Sequence, residues 1–274
     1  MTALSQALDE GSSDTVRLPR RSPLSFFLLV FALSIPFWLA GAATGRQLLP
    51  GLPVAALMFV CPATAALILV YGENKTAGVI ALLKRSFDYK RIRSKVWYTP
   101  ILLLMPGVMV LSYGLMRLMG LPFPTPQFPV LATIAMFLVF FIAALGEELG
   151  WSGYIIDPMQ DRWGALQAGV MLGLVWAAWH IVPLVQAHRS PAWIAWWCLG
   201  TVAIRVVMVW LYNNTGKSVF GAAVFHDMIN VTWQLFPIHG SYYDPRVTGL
   251  IMTLVAVIVT FVWRPRTSAR CRNS

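Results

Sequence analysis

Glu147 and Glu148 stand side by side in an otherwise apolar run, Phe140–Phe141–Ile142–Ala143–Ala144–Leu145–Gly146–Glu147–Glu148–Leu149–Gly150–Trp151. Adjacent helix positions are about 100° apart, so the two carboxylates cannot share a face. One can point into a cavity while the other pairs with a different helix. Like charges this close disfavour simultaneous ionisation, which suits one of them to act as a base near neutral pH. His180 closes the run Leu174–Val175–Trp176–Ala177–Ala178–Trp179–His180, one helical turn beyond Trp176 and on its face. His226 and Asn230 are likewise one turn apart in Phe225–His226–Asp227–Met228–Ile229–Asn230. An imidazole and an amide aimed at one point can donate hydrogen bonds to a developing oxyanion. Two imidazoles and a carboxylate could also ligate a metal ion. Asp227 faces elsewhere on its helix and suits an orienting partner, and Arg205 adds a cation from another apolar segment.

The bland alternatives are definite. A lone histidine in an apolar segment is more often a helix–helix contact, and a glutamate pair can mark a helix end at the membrane interface. Against the second, Trp151, Tyr154, Ile155 and Ile156 carry the apolar pattern on to Pro158. The glutamates then lie inside the span, where ionisable groups are costly and by default functional.

The elements that must position these groups follow from composition. Of 274 residues, 58% are hydrophobic and 12% charged, against roughly a quarter charged in a soluble domain. Twelve Trp, 12 Met and 15 Phe exceed what one aqueous core of this size would hide. The chain reads as an integral membrane protein, which excludes a secreted disulfide scaffold, a disordered chain and a soluble nucleic-acid-binding domain. Cys61, Cys198 and Cys271 have no paired spacing, so neither a disulfide framework nor a cysteine metal site follows. Residues 1–23 are polar, and the apolar run from Leu24 lacks a clean cleavage site, so it reads as a retained span.

Eight segments reach the roughly 20 apolar residues that a span requires: 24–44, 51–71, 97–118, 128–157, 165–182, 191–213, 218–236 and 247–263. The expected architecture is an all-α, polytopic transmembrane bundle over 24–263, with a polar tail at 1–23 and a basic tail at 264–274. With both termini cytoplasmic, the inner segments hold Arg17, Arg20, Arg21, Lys75, Lys84, Arg85, Lys90, Arg91, Arg93, Lys95, Arg162, Lys217, Arg264, Arg266, Arg270 and Arg272. The outer segments hold only Arg46, Arg117, Arg189 and Arg246, and Arg205 lies within a span. That is the positive-inside bias. It accounts for the net charge of +10 as topology and contact with anionic headgroups, without nucleic acid. Trp97, Trp193, Trp196, Trp197 and Trp263 fit interface anchoring in part and by themselves say nothing about function. Counted from the basic ends of their spans, Glu147, His180 and His226 lie roughly 15, 22 and 12 Å deep, which suggests a site in the cytoplasmic half of the membrane. His188 and His239 fall in outer loops, outside that site.

Together, these residues resemble the CPBP intramembrane protease family, which includes CAAX prenyl endopeptidases and bacteriocin-immunity proteins. The family's Glu-Glu-x-x-x-Arg motif appears as Glu147–Glu148–Leu149–Gly150–Trp151–Ser152, its Phe-x-x-x-His motif as Trp176–Ala177–Ala178–Trp179–His180, and its His-x-x-x-Asn motif as His226 to Asn230. The likeness covers about residues 128–235. It implies a buried hydrolytic site in which Glu147, assisted by His180, activates water while His226 and Asn230 stabilise the oxyanion. The substrate would be a membrane-associated or lipidated peptide, and the setting a prokaryotic plasma membrane. The resemblance leaves zinc on Glu147, His180 and His226, and a metal-free glutamate mechanism, equally open; the HExxH spacing of many zinc sites is missing. Trp176 in place of Phe keeps an aromatic wall. Ser152 in place of Arg removes the cation that would bridge to Glu148 across one turn, and Arg205 is the available substitute. Without it, a non-catalytic immunity factor, scaffold or membrane chaperone becomes the better reading. An ion-coupled transporter would want two pseudo-symmetric halves, whereas the polar residues here crowd into one.

Overall fold

In the computed structural model, which describes residues 21–237, 240 and 242–262, the chain is an all-helical bundle. Cys271, His239, Trp263 and the arginines of both tails other than Arg21 lie outside the described residues. The first helix, α1 (Pro23–Thr44), starts where the Ser22 hydroxyl accepts the Ser25 amide and stops at Gly45, whose φ of 60° suits glycine. A two-strand hairpin, β1 (Gln47–Leu49) and β2 (Leu52–Pro53), and a 3₁₀ stretch (Val54–Val60) lead into α2 (Cys61–Lys84). Next come α3 (Tyr98–Leu118), α4 (Val130–Gly150), a π-helical turn (Trp151–Ile155), α5 (Ile156–Trp163) and α6 (Ala165–Gln186). The chain finishes with α7 (Pro191–Asn214), α8 (Val219–Leu235) and α9 (Pro245–Val262).

Among the described residues, seven helical stretches are long and apolar enough to cross a membrane. The eighth long helix, α8, has 17 residues, about 25 Å at 1.5 Å per residue, and is nearly all buried by the others. The protein is therefore an integral, multi-pass membrane protein with seven or eight spans. Two boundaries depart from expectation. Helix α2 runs on to Lys84, with a kink at Lys75 (φ 52°, ψ −150°), where a polar connector was expected from residue 72. The fourth span continues through the π turn and α5 to Trp163. The amphipathic α5 caps the bundle at the end that carries the basic connector.

Close backbone approach fixes the helices around the polar residues. A Cβ at Gly150 would lie 2.5 Å from the Pro62 carbonyl oxygen, so α4 presses directly on the start of α2. A Cβ at Gly173 would lie 2.9 Å from Val202 Cα, which brings α6 against α7 near Arg205. Small residues at crossings are how membrane helices gain dispersion contact without a hydrophobic driving force. At the basic end, the Asp88 carboxylate accepts the Ser218 hydroxyl (2.8 Å) and the Phe220 amide (3.0 Å). A negative charge there complements the N-terminal dipole of α8.

Candidate active site

The adjacent glutamates part company, as their helical spacing requires. Glu147 lines a cavity of about 610 Å³, and so do Trp176, His180, His226 and Asn230. Glu148 points away from that cavity and is fully buried. Nη1 of Arg205, from α7, donates to both of its oxygens at 3.1 and 3.0 Å. Ser152 Oγ donates to Oε2 of Glu148, and His226 Nδ1 lies 3.0 Å from Oε1. A carboxylate only accepts, so Nδ1 of His226 carries the proton. The place left by the missing motif arginine is thus filled twice over, by a short hydroxyl on the same helix and a guanidinium from another. Arg205 is itself buried, with its Cζ 4.1 Å over the Trp176 ring. A buried ion pair is tolerable only with additional hydrogen bonds of this kind.

Two indoles orient Glu147. Trp176 Nε1 donates to its Oε2 at 2.8 Å and Trp151 Nε1 at 3.3 Å. Its Oε1 lies 4.0 Å from Nε2 of His226, a separation that one water molecule beside both atoms can bridge. His180 Nδ1 lies 2.8 Å from the Trp176 carbonyl oxygen, so it is the donor and Nε2 carries the lone pair. Rings of Trp179 and Trp197 wall His180 at 4.8 and 5.3 Å. Trp197 was expected to be an interface anchor; it belongs to the cavity instead, because α7 turns that face inward against α6. Trp151 and Trp179 read in sequence only as parts of their apolar runs, with no role at the site. The one signal available for Trp151 was its place four residues after Glu147.

Asp227 is buried, and neither of its oxygens finds a hydrogen-bond partner among the described residues. The expected orienting role of Asp227 thus has no partner among the described residues, and it is Glu148 that meets His226. The depth expectation also needs correction. The cavity is lined by Leu48, Leu49 and Leu52 of the hairpin and by the hairpin-side portions of α4, α6, α7 and α8. It lies in the half of the bundle away from the basic connector, because the fourth span continues to Trp163 and carries Glu147 deeper from that end. At the cavity's hairpin end, burial raises the phenol of Tyr243 to about 12 despite a hydrogen bond with Thr248, so it stays protonated and neutral.

The donors are not grouped as a preformed metal centre. Among the described residues no three His, Cys, Asp or Glu side chains are grouped to hold one ion. Glu148 is engaged by Arg205, Ser152 and His226, and one oxygen of Glu147 by the indoles. These contacts leave open Oε1 of Glu147 and Nε2 of His180 and of His226.

A family profile described as Type II CAAX prenyl endopeptidase Rce1-like matches residues 129–232, the stretch from the start of α4 to near the end of α8. The cavity's glutamate and both of its histidines lie within it. Over that stretch the chain is similar to the Rce1-like CAAX prenyl endopeptidases. It is also 26% identical over 272 residues to a CAAX prenyl protease 2 of Methanococcus maripaludis, an alignment that covers 88% of this chain and 94% of that one. The likeness to this relative therefore extends through the bundle, beyond the stretch that carries the motifs.

Proposed function

We propose that the protein is an intramembrane endopeptidase that hydrolyses a peptide bond of a membrane-associated or lipidated peptide. The observation that carries this reading is the convergence of Glu147, His180, His226 and Asn230 on one cavity whose other walls are mostly apolar. A volume of about 610 Å³ accommodates a short extended peptide stretch or an apolar substituent.

In this mechanism one water donates a proton towards Glu147 Oε1 and its second towards His180 Nε2, leaving a lone pair for the substrate carbonyl. Glu147 takes the first proton as general base, and the hydroxide oxygen bonds to the carbonyl carbon. The resulting oxyanion accepts hydrogen bonds from Asn230 and from Nε2 of His226, whose ring takes a second proton from solvent before the attack and keeps it through the cycle. Glu148 faces the opposite nitrogen and stabilises that doubly protonated ring. As the C–N bond breaks, Glu147 returns its proton to the leaving amine, and the products are a carboxyl group and an amine. No step needs a metal.

A scaffold or immunity role would leave Glu147 without chemistry to do, and its two indole donors together with an open oxygen favour the enzyme. A transporter would require a path to both membrane faces, whereas the cavity's lining lies towards one end. The test is cleavage of a tagged peptide and lipopeptide library by the purified, detergent-solubilised protein beside Glu147→Ala and His180→Ala. Loss of cleavage in both variants with unchanged folding profiles is expected. A folded wild type that cleaves nothing across the library would overturn the reading in favour of the non-catalytic role.

A further inference from the structure

We infer that the basic connector between α2 and α3 forms a binding site for one anionic phospholipid, held by its phosphate, at the end of the bundle remote from the cavity. The site is independent of the protease reading above. The connector carries Arg85, Lys90, Arg91, Arg93 and Lys95, but these cations are not spread evenly. Lys90, Arg91 and Arg93, with Ser94 and Trp97, line one concavity of about 650 Å³, bounded on its other side by Asn214 and Gly216 at the end of α7. Three cations face one space, and no carboxylate lines it. Asp88, the connector's one acid, is engaged by Arg85, by Ser218 and by the start of α8. Of the three lining cations it meets only Arg91, at 3.5 Å. Lys90 and Arg93 have no carboxylate partner among the described residues.

The walls are held in place before any ligand arrives. A Cβ at Gly216 would lie 2.6 Å from the Arg91 carbonyl oxygen, and the φ of +67° there also suits glycine. The turn after α7 is thus pressed against the connector, and Arg91 Nη1 donates to the Gly216 carbonyl at 3.3 Å. Ser94 Oγ does not cap the turn Lys95–Trp97 that follows it, which leaves its hydroxyl for a ligand. Depth selects a lipid over a soluble anion. Trp97 stands at the start of the membrane-crossing stretch Lys95–Leu118, and Asn214 at the end of Pro191–Asn214, so the concavity is level with the headgroups. The Trp97 ring meets that of Trp210 edge-on at 5.1 Å, and Val96 beside it is 66% exposed. That rim is apolar and aromatic, as the border between headgroups and acyl chains favours. Guanidinium forks take phosphate oxygens in pairs and lysine adds a point charge, and basic pockets between spans hold anionic headgroups this way. A volume of this size suits a headgroup with its glycerol, where a bare ion would leave most of it empty.

The experiment follows phosphatidylglycerol binding to the full-length protein, purified in detergent and stripped of lipid, by native mass spectrometry and by thermal unfolding. One phosphatidylglycerol per chain is expected to bind first and to raise the unfolding temperature, while phosphatidylcholine and inorganic phosphate at equal concentration do neither. Lys90→Gln combined with Arg93→Gln removes the two unpaired cations, both of them exposed. That variant should bind phosphatidylglycerol about thirtyfold more weakly, with its unfolding temperature in the absence of lipid unchanged. Arg93→Gln alone, expected to cost about fivefold, gives the same readout should the pair fail to fold. Lys75→Gln combined with Lys84→Gln removes as much charge from the same end of the bundle, outside the concavity, and should leave the affinity as it was. An equal loss in that control would mean diffuse attraction to the whole basic end and overturn the inference. Equal binding of phosphatidylcholine, or displacement of phosphatidylglycerol by inorganic phosphate at equal concentration, would overturn it too.

Discussion

Arg205 and Ser152 together do what a single arginine does in the motif that this chain resembles. The consequence is measurable, because removing one member of a buried pair strands the other. Arg205→Ala is expected to cost about 3–5 kcal/mol of stability, read as a fall in thermal unfolding temperature in detergent. Adding Ser152→Arg to that variant returns the cation to the helix of Glu148 and should recover part of both stability and cleavage. If the double variant is no better than the single, the two positions are not exchangeable. Trp176→Phe removes the shorter of two indole bonds to Glu147, and hydrogen bonds to charged groups contribute about 1.5–3 kcal/mol. Its expected signature is a lower kcat with little change in KM, since the base loses orientation while the cavity keeps an aromatic wall. Chelators should leave cleavage unchanged, given that the donors do not converge on one ion; inhibition that zinc reverses would contradict the metal-free mechanism.

The elements hold these side chains through contacts that leave little slack. Gly150 sits where any β-carbon would meet the Pro62 carbonyl, and the π-helical turn begins at the next residue. Gly150→Val should push α4 off α2 at a cost of about 1–3 kcal/mol or more, and should shift Glu147 and Glu148 together. Reduced thermal stability with reduced cleavage is the expected pair of results; unchanged stability would mean that the crossing is looser than the backbone distances imply. At the other end of the bundle, Asp88 accepts hydrogen bonds from Ser218 and the first turn of α8, the helix that supplies His226 and Asn230. Asp88→Ala is expected to cost about 0.5–2 kcal/mol, as loss of a helix cap does, and cleavage should fall less than for Gly150→Val. In sequence the stretch that carries Asp88 stood out only for the basic residues that orient the protein. Its acidic residue is what anchors it.

Across the whole molecule, the cavity draws walls from the hairpin and from α3, α4, α6, α7 and α8, so no single span defines what enters it. Ala143, on the α4 wall, is half-buried. Ala143→Phe should fill part of the space, raising KM for a substrate with a long apolar substituent more than for one with a short one. Equal effects on both would argue that the cavity binds the peptide rather than the substituent. The sequence by itself determined the membrane class, the run of apolar spans and the polar residues within them. Those conclusions rest on hydrophobicity and on 3.6-residue spacing, which are local properties. It also determined that Glu147 and Glu148 must diverge, since neighbouring positions on a helix cannot share a face. Only the tertiary structure decided that Arg205 meets Glu148, that Trp197 faces inward, that Asp227 has no partner among the described residues, and that the cavity lies towards the hairpin end. Each of these depends on how helices far apart in the chain rotate and cross, set here by close contacts such as that between Gly173 and Val202. Spacing within one helix carries no information about that rotation.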